Sequence, residues 1–258
     1  MSDHHTMNEK QKILSDAKNF LRRQEELYGS DIMIEKIAAT QQTQPKAHVK
    51  KKNPSDKTSV REPISDNIEA LPAMEELQKS VSVCTKCPLC KTRTQTVFGS
   101  GNTKAVIMFI GEAPGADEDA QGLPFVGRAG QLLTKMIEEP RSLGLPRSEV
   151  YIANILKCRP PENRKPQPGE IEQCEPYLIS QIENIRPKII CALGATAANT
   201  LLNNSLSMGA MRGQTYDYHG TPLLVTYHPA ALLRNPNWKQ PAWEDMLRLR
   251  AIYEESIK

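Results

Sequence analysis

Residues 105–115 read AVIMFIGEAPG, an apolar run that ends in a turn containing glycine and proline. A continuous apolar run of this length, bounded by turn residues, is typical of a strand that is buried on both faces. Similar runs follow at residues 150–155, 189–193 and 223–227. The sequence therefore predicts four buried strands.

Helical patterns separate these strands. Apolar residues spaced by three or four positions predict helices at residues 129–138, 170–185, 195–202 and 243–257, and a further helix, marked by Leu71 to Val81, that ends before Cys84. Strands that alternate with helices predict an α/β fold in which helices cover both faces of a parallel sheet. Ligands of such sheets bind beyond the carboxyl ends of the strands.

Composition limits the remaining possibilities. The formal net charge of +3 over 258 residues permits nucleic-acid binding without indicating it. No apolar run approaches the roughly 18 residues of a membrane span, and residues 1–10 have no apolar signal core, so we expect a cytoplasmic protein. Residues 1–66 are predicted to be an N-terminal extension, a short helix at about 8–27 and then a largely disordered linker, and residues 67–258 the folded domain.

Six cysteines in a cytoplasmic chain favour metal binding over disulfides. Cys84 and Cys87 form a Cys-x-x-Cys pair, Cys158 follows the second predicted strand, and Cys174 lies on the apolar face of a predicted helix. Four thiolates can bind zinc or a [4Fe–4S] cluster, and the spacing leaves both open. The apolar setting of Cys174 favours the cluster. Cys90 is a fifth candidate, and the cysteine within the run 189–193 is predicted to be a core residue.

Polar side chains stand at the carboxyl ends of three predicted strands: Glu112, Asn154 and His228. A parallel sheet would bring this carboxylate, amide and imidazole to one edge, which predicts a site for a small polar ligand. Phe125 lies in the glycine-rich loop after the first strand, where its ring can face a ligand or fill the core. This loop has neither the Walker nor the dinucleotide-binding glycine pattern.

Several long motifs resemble the iron–sulfur uracil-DNA glycosylases of family 4. They are CTKCPL at 84–89, VFGSGN at 97–102, GEAPG at 111–115, GLPFVGRAGQLL at 122–133, VYIANILKCRPPENR at 150–164 and HPAALLRNP at 228–236. The resemblance runs from about Leu77 to the C-terminus. It implies a three-layer α/β/α sandwich around a four-stranded parallel sheet.

The resemblance also implies a function. An enzyme of this family flips uracil out of single- or double-stranded DNA and hydrolyses its N-glycosidic bond, which initiates base excision repair. The implied cofactor is a [4Fe–4S] cluster on Cys84, Cys87, Cys158 and Cys174, with Cys90 free. We expect a monomer in the bacterial cytoplasm, associated with the nucleoid and not with a membrane.

Individual roles follow from the resemblance and from the chemistry of base release. His228 is predicted to donate a hydrogen bond to uracil O2, Asn154 to read the base, and Glu112 to orient the attacking water. Phe125 is predicted to stack on the base, and Glu118 to exclude a 5-methyl group. The other predicted substrate-binding residues are Gly111, Ala113, Gly115, Leu232, Leu233 and Arg234.

Three of these positions carry a particular expectation. Leu232 and Leu233 are the candidates for a wedge that fills the gap left by the flipped base. Ala113 stands where the best-known uracil glycosylases have a water-activating aspartate. A related branch traps DNA through a histidine, and no histidine lies between Cys158 and Cys174, so turnover is expected.

Three other functions fit parts of the sequence. A non-enzymatic iron–sulfur protein for electron transfer would use the cysteines but not the polar strand ends. A zinc-bound DNA-binding module would use the same four thiolates. A glycosylase for another deaminated base would share the fold and the mechanism.

Overall fold

A computed structural model describes residues 73–258, and the predicted extension, residues 1–66, lies outside the described residues. Within the described part, the strands form one six-stranded sheet in the order β1-β3-β2-β4-β6-β5. The strands are β1 Ser100–Gly101, β2 Ile107–Gly111, β3 Tyr151–Asn154, β4 Ile189–Leu193, β5 Thr215–Tyr218 and β6 Thr221–Thr226.

The four predicted strands are confirmed as the parallel centre of the sheet, β3-β2-β4-β6. The expected strand number was too low, because β1 and β5 add an antiparallel strand at each edge. β1 has only two residues, and β5 alternates exposed with half-buried side chains. Neither strand contains an apolar run, so neither matched the pattern of a buried strand.

The five helices predicted for the folded domain are also present, with shifted ends, whereas the helix predicted at about residues 8–27 lies outside the described residues. The helices are α1 Met74–Ser82, α2 Ala116–Gln121, α3 Arg128–Glu138, α4 Pro168–Ile185, α5 Ala195–Leu202, α6 Met208–Met211, α7 Pro229–Arg234 and α8 Lys239–Ser256. Short 3₁₀ helices occur at Pro88–Lys91, Arg147–Glu149, Pro161–Asn163 and Pro236–Trp238. None of the helices described between residues 73 and 258 has the length and apolar character to cross a membrane.

Side chains of the central strands alternate between two apolar clusters, one on each face of the sheet. On β2, Met108 and Ile110 pack in the cluster that includes α1, α4 and α5, whereas Ile107 and Phe109 pack with α3 and α8. Cys191 of β4 is buried in the second cluster, which confirms it as a core residue. The protein is thus a three-layer α/β/α sandwich.

The register of the strands brings the predicted functional positions to one edge. Gly111, the last residue of β2, is paired with Asn154, the last residue of β3. β4 and β6 end side by side at Leu193 and Thr226, two residues before His228. The carboxyl ends of all four parallel strands therefore point to the same region.

Candidate active site

A pocket of about 370 Å³ opens at the carboxyl ends of the parallel strands. We call it the strand-end pocket, and its walls include eight of the predicted site residues: Glu112, Ala113, Gly115, Glu118, Phe125, Asn154, His228 and Arg234. These residues come from the segment between β2 and α3, which includes α2, from the end of β3 and from the segment after β6. The sheet therefore brings together side chains that are more than a hundred positions apart in sequence.

Gly111 lies beneath this pocket, where two side chains approach its backbone. A Cβ at this position would lie 2.6 Å from Cζ of Phe125 and would collide with Oδ1 of Asn154. Glycine lets the aromatic ring and the amide approach the end of β2 this closely. The residue thus shapes the site through its missing side chain.

Asn154 presents an unsatisfied acceptor to the strand-end pocket. Asn154 is 1% exposed, and its Oδ1 atom is buried without a hydrogen-bond partner in the described structure. An unpaired buried polar atom costs about 1–3 kcal/mol, and in a native protein each such atom calls for an explanation, of which a ligand that completes the bonding is one. Oδ1 of Asn154 is therefore placed to accept an N–H from a bound molecule.

His228 caps the N-terminus of α7 and presents one ring nitrogen to the pocket. Its Nδ1 accepts a hydrogen bond from the backbone N–H of Ala230 at 3.1 Å, so the proton of the neutral ring belongs on Nε2. Burial lowers the pKa of His228 to about 4, with a further contribution from Arg234 and partial opposition from Glu118. At neutral pH the imidazole is therefore an uncharged N–H donor.

Phe125 belongs both to the pocket and to the core. Its ring centroid lies 5.5 Å from that of His228, and the residue is 6% exposed within the second apolar cluster. Its φ of 53° is a costly backbone conformation for a bulky residue, and such strain is concentrated at functional sites. The glycine at position 130 makes room for this backbone conformation of Phe125, because a Cβ on residue 130 would collide with the Phe125 carbonyl.

Glu118 connects the two loops that frame the pocket. Oε1 accepts the backbone N–H groups of Val126 at 2.8 Å and Gly127 at 3.0 Å, and Oε2 accepts that of Gly115 at 3.1 Å. Three backbone donors orient the carboxylate and hold the loop after β2 against the residues beside Phe125. The predicted exclusion of a 5-methyl group by this side chain stays a prediction.

The two candidate wedge leucines differ in exposure. Leu232 is 2% exposed and Leu233 is 40% exposed. α7 directs the Leu232 side chain into the interior, so its insertion into a DNA duplex would require a rearrangement of this helix, and its role as a wedge stays a prediction. Leu233 keeps the exposure that a wedge requires, and Arg234 adds an exposed positive charge at the pocket.

Among the pocket residues without a role predicted from the sequence, three share one stretch of the chain: Pro160, Asn163 and Arg164. They lie between Cys158 and α4, in the PPENR stretch that was noted only as a family motif. Both oxygens of Glu170 accept hydrogen bonds from Arg164, at 2.9 and 2.6 Å, so the guanidinium is oriented on this wall. The sequence feature that could have indicated these pocket residues is a stretch of proline and polar residues shortly after a predicted strand.

A second cavity lies on the side of the sheet covered by α1 and α4. We call it the thiol cavity, and its walls include Cys84, Cys87, Cys90, Cys158 and Cys174. The structure thus brings the four predicted ligands together, with the fifth candidate beside them. Between residues 73 and 258, no group of three or more His, Cys, Asp or Glu side chains is placed to hold a single metal ion.

Two N–H donors point at sulfur atoms of this cavity. The guanidinium of Arg93 lies 3.2 Å from Sγ of Cys158, and the backbone N–H of Lys157 lies 3.2 Å from Sγ of Cys174. Burial raises the pKa of the Cys174 thiol to about 11 and also raises the pKa of Cys158, although Arg93 opposes the latter shift. Thiols of this kind need a cationic partner to ionise, and a thiolate-bound iron–sulfur group supplies one.

Lys157 lines the thiol cavity and contacts the end of β3, and the sequence did not predict a role for it. It is 1% exposed, and its Nζ donates to the Asn154 carbonyl at 2.8 Å and to Oε1 of Gln181. Burial lowers the pKa of Lys157 to about 8, with the Cys174 thiol opposing the shift. The side chain thus connects the base of the strand-end pocket with the surroundings of the thiol cavity.

Comparison with known proteins defines the class. The family model for the uracil DNA glycosylase superfamily matches residues 98–247. A type-4 uracil-DNA glycosylase of Sulfurisphaera tokodaii is 46% identical over 70% of this chain and 84% of its own length. Those of Saccharolobus solfataricus and Archaeoglobus fulgidus are 47% and 42% identical, over 72% and 69% of this chain and 86% and 92% of their own lengths. The chain therefore belongs to the uracil DNA glycosylase superfamily, in its type-4 family.

Proposed function

We propose that this protein is a DNA glycosylase that removes uracil by hydrolysing the bond between the base and the deoxyribose. The observation that carries the proposal is the buried, unpartnered Oδ1 of Asn154 in a pocket that also holds the neutral imidazole of His228. Uracil offers an N–H donor for the first and a carbonyl acceptor for the second. The names of the type-4 relatives support the same substrate.

Base choice would depend on Asn154. Its Oδ1 accepts N3–H of uracil, while the amide nitrogen donates to O4. Cytosine presents an unprotonated N3 and an amino group at these positions, so both polar contacts would be lost. Leaving buried polar groups unpaired costs about 1–3 kcal/mol for each group, and a site built on hydrogen bonds rejects such a mismatch strongly.

The base must leave the DNA stack before it can enter the pocket. Flipping costs a few kcal/mol, which phosphate contacts and a side chain inserted into the gap offset. Leu233 is the exposed residue available for insertion, and Arg234 is a charge available for a phosphate. Phe125 would stack on the flipped base, whose exocyclic edge faces Asn154.

Bond cleavage then moves the bonding electron pair from the sugar carbon into uracil, where the charge collects on O2. His228 donates its Nε2–H to that oxygen and stabilises charge that appears only as the bond breaks. Water adds to the sugar cation and loses a proton, which completes the hydrolysis and leaves an abasic site. Glu112, which lines the pocket, is the residue proposed to orient this water.

The thiol cavity would hold a [4Fe–4S] cluster through Cys84, Cys87, Cys158 and Cys174. Bound there, the cluster would link the segment after α1 with the end of β3 and with α4. Its proposed role is structural, because hydrolysis of the base–sugar bond needs no electrons. Cys90 is proposed to remain free. We further propose that the enzyme acts as a monomer in the bacterial cytoplasm, on DNA of the nucleoid.

The test uses the full chain purified without loss of its metal. It is incubated with single-stranded and duplex oligonucleotides that contain one uracil, then with alkali, and the strands are separated on a gel. We expect cleavage at the uracil position and none in a thymine control. Matched oligonucleotides with hypoxanthine or xanthine measure release of other deaminated bases. Absence of uracil release from iron-loaded protein would contradict the proposal, and zinc in place of iron would contradict the cluster.

A further inference from the structure

An aromatic stack is formed by Tyr227 and Trp238, which are close in sequence to His228 and Arg234 of the strand-end pocket. Trp238 and Tyr227 have their ring centroids 4.7 Å apart with an interplanar angle of 10°, which is a parallel stack. Trp238 nevertheless stays 38% exposed, although tryptophan side chains are highly buried on average. Because one face of the indole is covered by Tyr227, much of this exposure falls on the opposite face and the ring edge.

The stack is supported from the interior of the protein. The guanidinium carbon of Arg212 lies 4.7 Å from the Tyr227 ring centroid, and two groups of this size cannot share one face at that distance. Arg212 in turn donates to both oxygens of Asp245, at 2.7 and 2.9 Å, and Thr226 donates to Asp245 at 2.7 Å. A chain of fixed contacts therefore holds the indole in place before any ligand arrives.

The position of the stack relates it to the proposed reaction. Tyr227 directly precedes His228, and Trp238 follows Arg234 of the pocket by four residues. At a reach of about 3.5 Å per residue, Trp238 lies within about 14 Å of Arg234. This distance corresponds to about four nucleotides at the 3.4 Å rise of one DNA strand. A strand that places its uracil in the pocket therefore has neighbouring bases within reach of the indole.

We propose that Trp238 is a stacking platform for an unpaired base of the strand that carries the uracil. An exposed, pre-oriented indole face binds nucleobases of any sequence, because every base has a π face. A base inside a duplex is already stacked on its neighbours and has no face to offer. The platform therefore favours single-stranded over duplex DNA. This inference rests on the proposed function, since it takes DNA as the ligand.

The test measures binding to DNA that contains thymine and no uracil, so that no base is released. Trp238→Ala should weaken binding to single-stranded DNA about fivefold to a hundredfold, the equivalent of about 1–3 kcal/mol for one stacked base. Binding to a blunt duplex should change less than twofold. Trp238→Phe should restore most of the affinity, whereas Trp238→Leu, which is apolar but not aromatic, should not. Leu247→Ala removes another exposed apolar side chain of the same C-terminal region and serves as the control.

Fluorescence gives a second readout that does not depend on the stability of the alanine variant. Trp243→Phe leaves Trp238 as the single tryptophan of the chain. Single-stranded DNA should quench its emission, and duplex DNA should quench it much less. Unquenched emission at saturating single-stranded DNA, unchanged affinity in Trp238→Ala, or equal losses on both kinds of DNA would each overturn the inference. Uracil release by the wild-type chain, measured separately, reports on the proposed function alone.

Discussion

The strand-end pocket takes Asn154 from the end of β3 and the thiol cavity takes Lys157 and Cys158 from the segment that follows it, but the two regions differ in how their polar atoms are satisfied. In the pocket, Oδ1 of Asn154 is buried without a partner and the imidazole of His228 keeps an N–H for use. In the thiol cavity, the sulfur atoms of Cys158 and Cys174 accept N–H donors from the protein itself. The unpartnered polar atoms of the pocket suit a ligand that binds and dissociates. The hydrogen-bonded sulfur atoms of the thiol cavity suit a permanently bound group.

Lys157 shows that the two regions are not independent. Its ammonium group, held by neutral oxygen atoms, fixes the backbone carbonyl of Asn154, while its backbone N–H points at Cys174. We expect these contacts to carry a distortion of the thiol cavity to the backbone of Asn154. The comparison therefore predicts that pocket variants change the rate and leave iron unchanged, whereas thiol variants change iron first and the rate as a consequence.

The largest effect is expected for Cys174→Ala. Removing one of four proposed ligands should abolish stable iron binding and lower the melting temperature, because α4 loses its link to the end of β3. Iron analysis, visible absorbance and thermal denaturation measure this. Cys90→Ala is the matched control, from the same cavity, and should retain iron. The reverse result would contradict the proposed ligand set.

His228→Ala should produce the largest loss of rate without loss of iron. Removing a donor to the developing charge typically costs about 2.7–4 kcal/mol, or roughly a hundredfold to a thousandfold in rate. Single-turnover measurements are required, since slow product release can conceal a change in the chemical step. A variant with a nearly normal single-turnover rate would remove His228 from the mechanism.

Asn154→Asp should weaken base recognition by a smaller amount. The substitution removes the amide donor and places a negative charge in the pocket, and one lost buried contact costs about 1–3 kcal/mol. Uracil release should fall about fivefold to a hundredfold, and slow cytosine release is expected because its amino group finds an acceptor. An unchanged rate on uracil would exclude direct reading of the base by this side chain.

The smallest effect concerns pH. Because the pKa of His228 is lowered to about 4, the ring stays neutral between pH 5 and 8, and its contribution to the rate should not change across this range. A protonated general acid would instead become more active as pH falls through 6.5.

The same pKa shift affects stability. In the unfolded chain His228 binds a proton near pH 6.5, so its neutral burial favours folding above that pH and loses this advantage as pH falls towards 4. His228→Gln should reduce the loss of melting temperature between pH 7 and pH 4.5.

The sequence predicted the central fold from the apolar runs that became β2, β3, β4 and β6. It missed β1 and β5, because an edge strand needs only backbone pairing and one covered face. It predicted the polar residues at the strand ends, since parallel strands place their carboxyl ends together. It could not separate Leu232 from Leu233, because adjacent positions in a short helix differ in exposure only through what packs around them.

The sequence by itself determined the three-layer class, the strand-end position of Glu112, Asn154 and His228, and the cysteines available for a metal site. These depend on local periodicity and on the topology of parallel sheets. Tertiary structure alone decided that Oδ1 of Asn154 has no partner, that the His228 proton belongs on Nε2, and that Lys157 connects the two sites. Those properties depend on distances and burial between distant segments, which the order of residues does not specify.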